Sequence, residues 1–180
     1  SYRIKFPVQI ISAVLLCIPG LWIDNFNGVL GIHNIPALIG IPFSVVLVVL
    51  IINAINLIDG IDGLASGLCI MGITVFTVLF VKVGLAGYAI LGAAALGALL
   101  PFYIYNVYGT SEKQTKIFMG DAGSLTMGFI IAAFTIKAAT FADHSAIPVD
   151  ERDYYFVYAF AILLVPVLDV VRLFVHRILH

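Results

Sequence analysis

Six long apolar runs, at 7–23, 37–52, 67–83, 87–106, 125–142 and 154–175, take up most of this 180-residue chain. A bilayer core about 30 Å thick is crossed by about 20 residues of helix, and backbone polar groups inside it must be satisfied within the segment. Each run therefore reads as a transmembrane α-helix, and the chain as one all-α polytopic membrane bundle of about six helices. Length and punctuation mark these helices. Periodicity does not, because lipid-facing and bundle-facing positions are both apolar.

The composition agrees. The chain is 62% hydrophobic and 11% charged, with a mean hydropathy of +1.14, whereas soluble domains are about 25% charged. Its nine Lys and Arg are scattered, which excludes the clustered basic surface that binding of nucleic acid requires. Cys17 and Cys69 sit far apart in apolar runs and read as small buried hydrophobes, neither a disulfide nor a zinc site. Arg3 and Lys5 before the first run imitate a signal peptide, but the run has no small-residue cleavage site and closes on Trp22, so a first membrane helix is expected.

Charge sets the orientation. With a cytoplasmic N-terminus, Arg3, Lys5, Lys113, Lys116, Arg172 and Arg177 lie inside and Lys82, Lys137 and Arg152 outside, as the positive-inside rule favours. The joins 53–66 and 107–124 then share the cytoplasmic face, and the acidic join with Asp143, Asp150, Glu151 and Asp153 lies outside. Trp22, Tyr88, Tyr154, Tyr155 and Tyr158 fall near helix ends and read as headgroup anchors. The fourth run carries Gly92, Ala93, Ala94, Ala95, Gly97 and Ala98, small side chains that permit close helix approach.

Two stretches carry chemistry. In Asn53-Ala54-Ile55-Asn56-Leu57-Ile58-Asp59-Gly60-Ile61-Asp62-Gly63, amides and carboxylates interrupt two apolar spans. A carboxylate at mid-membrane depth costs about 2.5–3.5 kcal/mol on insertion scales, so Asp59 and Asp62 belong at the interface or in a wet cavity. The Asp-Gly steps permit turns with positive φ. The second stretch, Phe118-Met119-Gly120-Asp121-Ala122-Gly123-Ser124, opens the fifth helix. Unpaired N–H groups there suit a phosphate, and Asp121 suits Mg²⁺, which prefers a few carboxylates with phosphate oxygens and water. Such parts fit phosphoryl transfer, in which a protein mainly positions groups and neutralises charge.

Simpler roles compete. Any one of Asp59, Asp62 and Asp121 can merely cap a helix; three on one face, beside Asn53, Asn56 and Asn106, argue for a site. Asp169, Arg172 and His176 are spaced for a structural ion pair on the sixth helix. Lys113 and Lys116 read as positive-inside charges. His33 and His144 fall on the outer side, away from the site.

The segment from Asn53 to Gly67 is similar to the N-x-x-N-x-x-D-G-x-D-G-L-A-x-G segment of the polyprenyl-phosphate N-acetylhexosamine-1-phosphate transferases. Residues 117–128 resemble that family's F-M-G-D-x-G-S segment, and Lys5 and Gln9 match the continuation of a further one. The resemblance implies transfer of a sugar 1-phosphate from a UDP-sugar to polyprenyl phosphate with release of UMP, on Mg²⁺ or Mn²⁺, at the cytoplasmic face of the bacterial inner membrane. It implies Asp59, Asp62 and Asp121 as catalytic residues, with Asp121 the metal ligand. Asn53, Asn56, Asn106, Phe118, Gly123, Ser124 and Lys5 become substrate-binding positions, Asn106 and Phe118 near the uridine. GlcNAc is the expected sugar and UDP-MurNAc-pentapeptide the alternative donor; a homodimer is a further expected partner.

Family members also carry an Asp pair before a segment like Ser1 to Phe6 and a His-rich loop after one like Arg172 to His180. On the resemblance this chain is the central part of a longer protein, expected to be inactive alone. Outside the family, an intramembrane aspartyl protease has no use for the Asn-rich pattern. CDP-alcohol phosphotransferases require an Arg and downstream aspartates that do not follow Asp62. A transporter or channel is the alternative from another class, but it favours acids at the midplane.

Overall fold

The computed structural model describes residues 2–26 and 34–140, together with residues 161, 164 and 168. These hold five helices: α1 Tyr2–Cys17, α2 Ala37–Ile58, α3 Leu64–Lys82, α4 Ala86–Tyr108 and α5 Gly120–Ala139. Among the described residues, the helices α2 to α5 are long and apolar enough to cross a membrane. The architecture is thus an all-helical polytopic bundle. Of the expected sixth helix at 154–175, Ala161, Leu164 and Leu168 are described and helical; Asp169, Arg172, His176, the acidic join, His33 and His144 lie outside the described residues.

Several helix ends depart from the sequence reading, for physical reasons. α2 runs through Asn53 and Asn56 to Ile58 instead of stopping at 52. Polar residues end a membrane helix only if they must reach water. Here the Asn53 amide donates to Val49 O at 2.7 Å and to Gln9 Oε1 at 2.8 Å, so it is satisfied inside the bundle. α5 likewise begins at Gly120 rather than 125 because its polar first turn finds partners on α1 and α2.

α1 occupies 2–17 rather than 7–23. It starts before Pro7 and ends where Pro19 cannot continue a helix and Gly20 takes φ +87°. The chain after it still packs inward, with Ile23 N–H donating to Ser44 Oγ at 2.9 Å. Trp22 lies against Gly40, so it is part of the α1–α2 packing.

The dominant packing is α2 on α5 and α3 on α4, with α1 on α2 and α3 on α5 closing the group. Lipid tails give helices no hydrophobic reason to associate, so close fit must do it. At the α2–α5 crossing a Cβ on Gly128 would lie 2.8 Å from Ile52 Cα and 3.2 Å from Ile52 O. Ile52 is one turn before Asn56 and Gly128 one turn after Ser124, so this contact sets how the polar ends of the two helices meet. Toward the other end, Phe80 and Phe134 make an edge contact at 5.1 Å, with Phe76 and Tyr88 around them. Tyr88 thereby joins the packed cluster, and Lys137 Nζ stands 5.6 Å from its ring centre.

Gly97, by contrast, has nothing within 4 Å of an added Cβ. Gly128→Ala is therefore expected to lower stability by about 1–3 kcal/mol, as overpacking does, while Gly97→Ala stays neutral. Thermal unfolding of the two variants in detergent checks this; equal midpoints would contradict it.

Candidate active site

Five parts of the chain converge at one end of the bundle: the start of α1, the end of α2 with the 59–63 turn, the end of α4, the 109–119 connection and the first turn of α5. Lys5 on α1 forms an ion pair with Asp121 Oδ2. Asn56 on α2 uses both amide hydrogens on α5, donating to Asp121 Oδ1 at 3.1 Å and to Ser124 Oγ at 2.8 Å. Ser124, fully buried, donates onward to Gly120 O at 2.9 Å. One turn deeper, Gln9 and Asn53 exchange amide hydrogen bonds at 2.8 and 3.4 Å. Gln9 is only 6% exposed, and a buried amide without such partners costs about 1–3 kcal/mol. The exchange thus fixes the register of α1 on α2 and brings Lys5 over Asp121.

Asp59 caps the C-terminal end of α2. Burial pushes its carboxyl above the usual carboxylate range, and the charge of Asp121 adds to the rise. The two acids therefore feel each other across the site. Asp62 has a different partner, pairing with Lys116 Nζ at 2.7 Å. Of the two Asp-Gly steps, the second takes positive φ: Gly63, at +76°, lies where a Cβ would come 2.6 Å from Val107.

Asn106 at the end of α4 is 6% exposed. Its Oδ1 accepts from Gly63 N–H at 2.7 Å and its Nδ2 donates to Ile117 O at 2.9 Å, so its amide joins the two signature segments internally. Gly123 lies in the first turn of α5 with the Met119 side chain against it, and Phe118 stands 73% exposed just before that helix. Side-chain N-capping does not account for Asp62 and Asp121, because α3 and α5 have no side-chain N-cap bond.

Lys116 reads from the sequence as a positive-inside charge, with no part in the site. A membrane-flanking lysine is explained by orientation alone, and only the fold shows that it faces Asp62. Gln9 was reached through the resemblance, with no signal of its own.

Among the described residues, no group of three or more His, Cys, Asp or Glu side chains is placed to hold a metal ion. A cation here would have Asp121 and Asp59, whose mutual repulsion it would relieve. That set suits Mg²⁺, which completes its shell with water and phosphate oxygens.

Fold and site define a polytopic membrane protein with carboxylate, amide and ammonium groups gathered at one end of its helices. The family model for glycosyl transferase family 4 matches residues 1–139, and the chain belongs to that family. It is 38% identical over 139 residues to a phospho-N-acetylmuramoyl-pentapeptide-transferase of Staphylococcus carnosus, covering 73% of this chain and 42% of that protein. It is 30% identical over 144 residues to a Bacillus subtilis protein described as a "probable undecaprenyl-phosphate N-acetylglucosaminyl 1-phosphate transferase", covering 76% of this chain and 37% of that one. The chain thus spans about two fifths of the length of these relatives. No solved structure matches it.

The raised Asp59 gives a pH test. A proton would compete with a cation held by this carboxylate at higher pH than at an ordinary Asp, so affinity would fall as pH drops through the raised value. Mn²⁺ binding to the intact protein, followed by electron paramagnetic resonance, should weaken in that window, and Asp59→Asn should abolish the inflection. Wild-type affinity that stays flat until the ordinary carboxylate range would contradict the assignment.

Proposed function

We propose that the intact protein transfers a sugar 1-phosphate from a UDP-sugar to a polyprenyl phosphate, releasing UMP, at the cytoplasmic face of the bacterial inner membrane. The observation that carries this reading is the joint engagement of Asp121 by Lys5 and Asn56 at the helix ends, beside Asp59. In the reaction an oxygen of the lipid phosphate bonds to the phosphorus that bears the sugar. The bond from that phosphorus to the UMP oxygen breaks, and UMP leaves with the electron pair. Both reactants are anionic, so the barrier is largely electrostatic.

Each group has a role in this scheme. Lys5 supplies positive charge, and the unpaired N–H groups at the start of α5 face the phosphates. Asn56 orients Asp121. Asp59 and Asp121 would hold Mg²⁺, or Mn²⁺ in its place, which when bound neutralises the diphosphate charge. Phe118 offers its exposed face to the base. The lipid chain, which cannot fit a closed pocket, lies along the bundle.

UDP-GlcNAc is the donor we favour, on the short 107–116 loop and the wording of the motifs. UDP-MurNAc-pentapeptide is the second reading, supported by the identity to the Staphylococcus carnosus relative. The transporter alternative has less support, since the acids gather at the helix ends.

Intact protein in detergent, given undecaprenyl phosphate, Mg²⁺ and each donor in turn, should release UMP with one of them. Chelation of the cation should stop release, and Asp121→Asn should lower kcat by about 10²–10³, the usual loss when an electrostatic group is removed. Release of UDP in place of UMP, or ion flux in liposomes without any UMP, would overturn the reading. Turnover of the pentapeptide donor alone would replace the favoured sugar.

A further inference from the structure

Lys116 makes two contacts that none of its expected roles requires. Its Nζ lies 2.7 Å from Asp62 Oδ2 and donates to Asn106 O at 2.6 Å. The carbonyl of Asn106 is one of the last four of α4, which have no partner within the helix, and a cation is favoured at that end of a helix dipole. The Lys116 side chain is 17% exposed against 48% for Asp62, so the lysine is the anchored member and the aspartate is held at the surface by it.

The residues around it complete a clasp. Asn106 donates to Ile117 O and accepts from Gly63 N–H, so the segments 62–63 and 116–117 are tied on both sides of one buried side chain. Phe118 follows directly, its ring exposed and its preceding two residues pinned. An ion pair with its carboxylate about half exposed adds about 0–1 kcal/mol to stability. Its main effect is therefore on geometry: it fixes an exposed aromatic ring relative to an acidic turn.

We propose that Lys116 is a positioning residue for the water-soluble substrate. By clamping Asp62 to the end of α4, it sets the distance between the Phe118 ring and the 59–62 turn, where a nucleoside, with a flat face and hydrogen-bonding edges, is captured. The clasp lies at the ends of the membrane-spanning helices, on the last turn of α4 and the connections beside it. Its loss therefore weakens the substrate that arrives from water and leaves the one that arrives through the bilayer unaffected. This inference rests on the phosphotransferase reading and deepens it.

The test uses the intact protein with Lys116→Met and Lys116→Arg, whichever donor the wild type turns over, and undecaprenyl phosphate. Lys116→Met should raise the donor KM about tenfold, a loss of one charge-assisted contact, with the lipid KM and thermal midpoint unchanged. Lys116→Arg should restore most of the donor KM. Calorimetric titration with UMP alone should show the same weakening and the same rescue. If donor KM and UMP affinity are normal in Lys116→Met, or if both KM values rise together as the thermal midpoint falls, the clasp has no positioning role. A wild type that releases no UMP with any donor would instead refute the underlying activity, and this inference with it.

Discussion

The ion pair and hydrogen bond that meet on Asp121 are the constraint on which this end of the molecule depends. A carboxylate at the start of a membrane-spanning helix must be hydrated, paired or neutralised. Here α1 contributes the ammonium of Lys5 and α2 the amide of Asn56, so satisfying one side chain ties three helices together. The geometry needs support on both sides. The Gln9–Asn53 exchange holds α1 in register on α2, and the absence of a side chain at Gly128 lets α5 approach Ile52. Asn56 then reaches both Asp121 and the buried Ser124.

The two signature segments are joined by different means. Asn106 and Lys116 bind the 62–63 turn to the 116–117 segment, while Asn56 and Lys5 bind the helices. Asp59 is held above its usual range by its burial and by the nearby charge of Asp121. Asp62 belongs to the clasp. The three aspartates therefore differ in setting although the sequence presents them alike: Asp121 is paired with Lys5, Asp59 has its carboxyl raised by burial and by Asp121, and Asp62 is held by Lys116.

Much of this was legible in the chain. The apolar runs located α2 to α5, since nothing but a helix spans lipid alone, and the Asp-Gly and Gly-Asp steps marked the site. The ends of the helices were not legible. Asn53 and Asn56 look like the end of a span until Gln9, Asp121 and Ser124 are known to face them, because polarity terminates a helix only where no partner exists. Lys116 was hidden for the same reason, its charge being explained by orientation before its contact was known. Gly128 had no marker, as one glycine in an apolar run gives no hint of what crosses it.

Convergence of the helix ends is the claim on which all else stands, and cross-linking in the membrane tests it most directly. Asn56→Cys with Ser124→Cys, in a background where Cys17 and Cys69 are alanine, places thiols at two positions whose side chains now meet across the α2–α5 contact. Mild oxidation should join them, so that cleavage between α2 and α5 leaves the fragments linked until reduction. Two thiols that stay free and separately alkylated, in protein that is otherwise folded, would mean that α2 and α5 do not meet at this end and that no such site is formed.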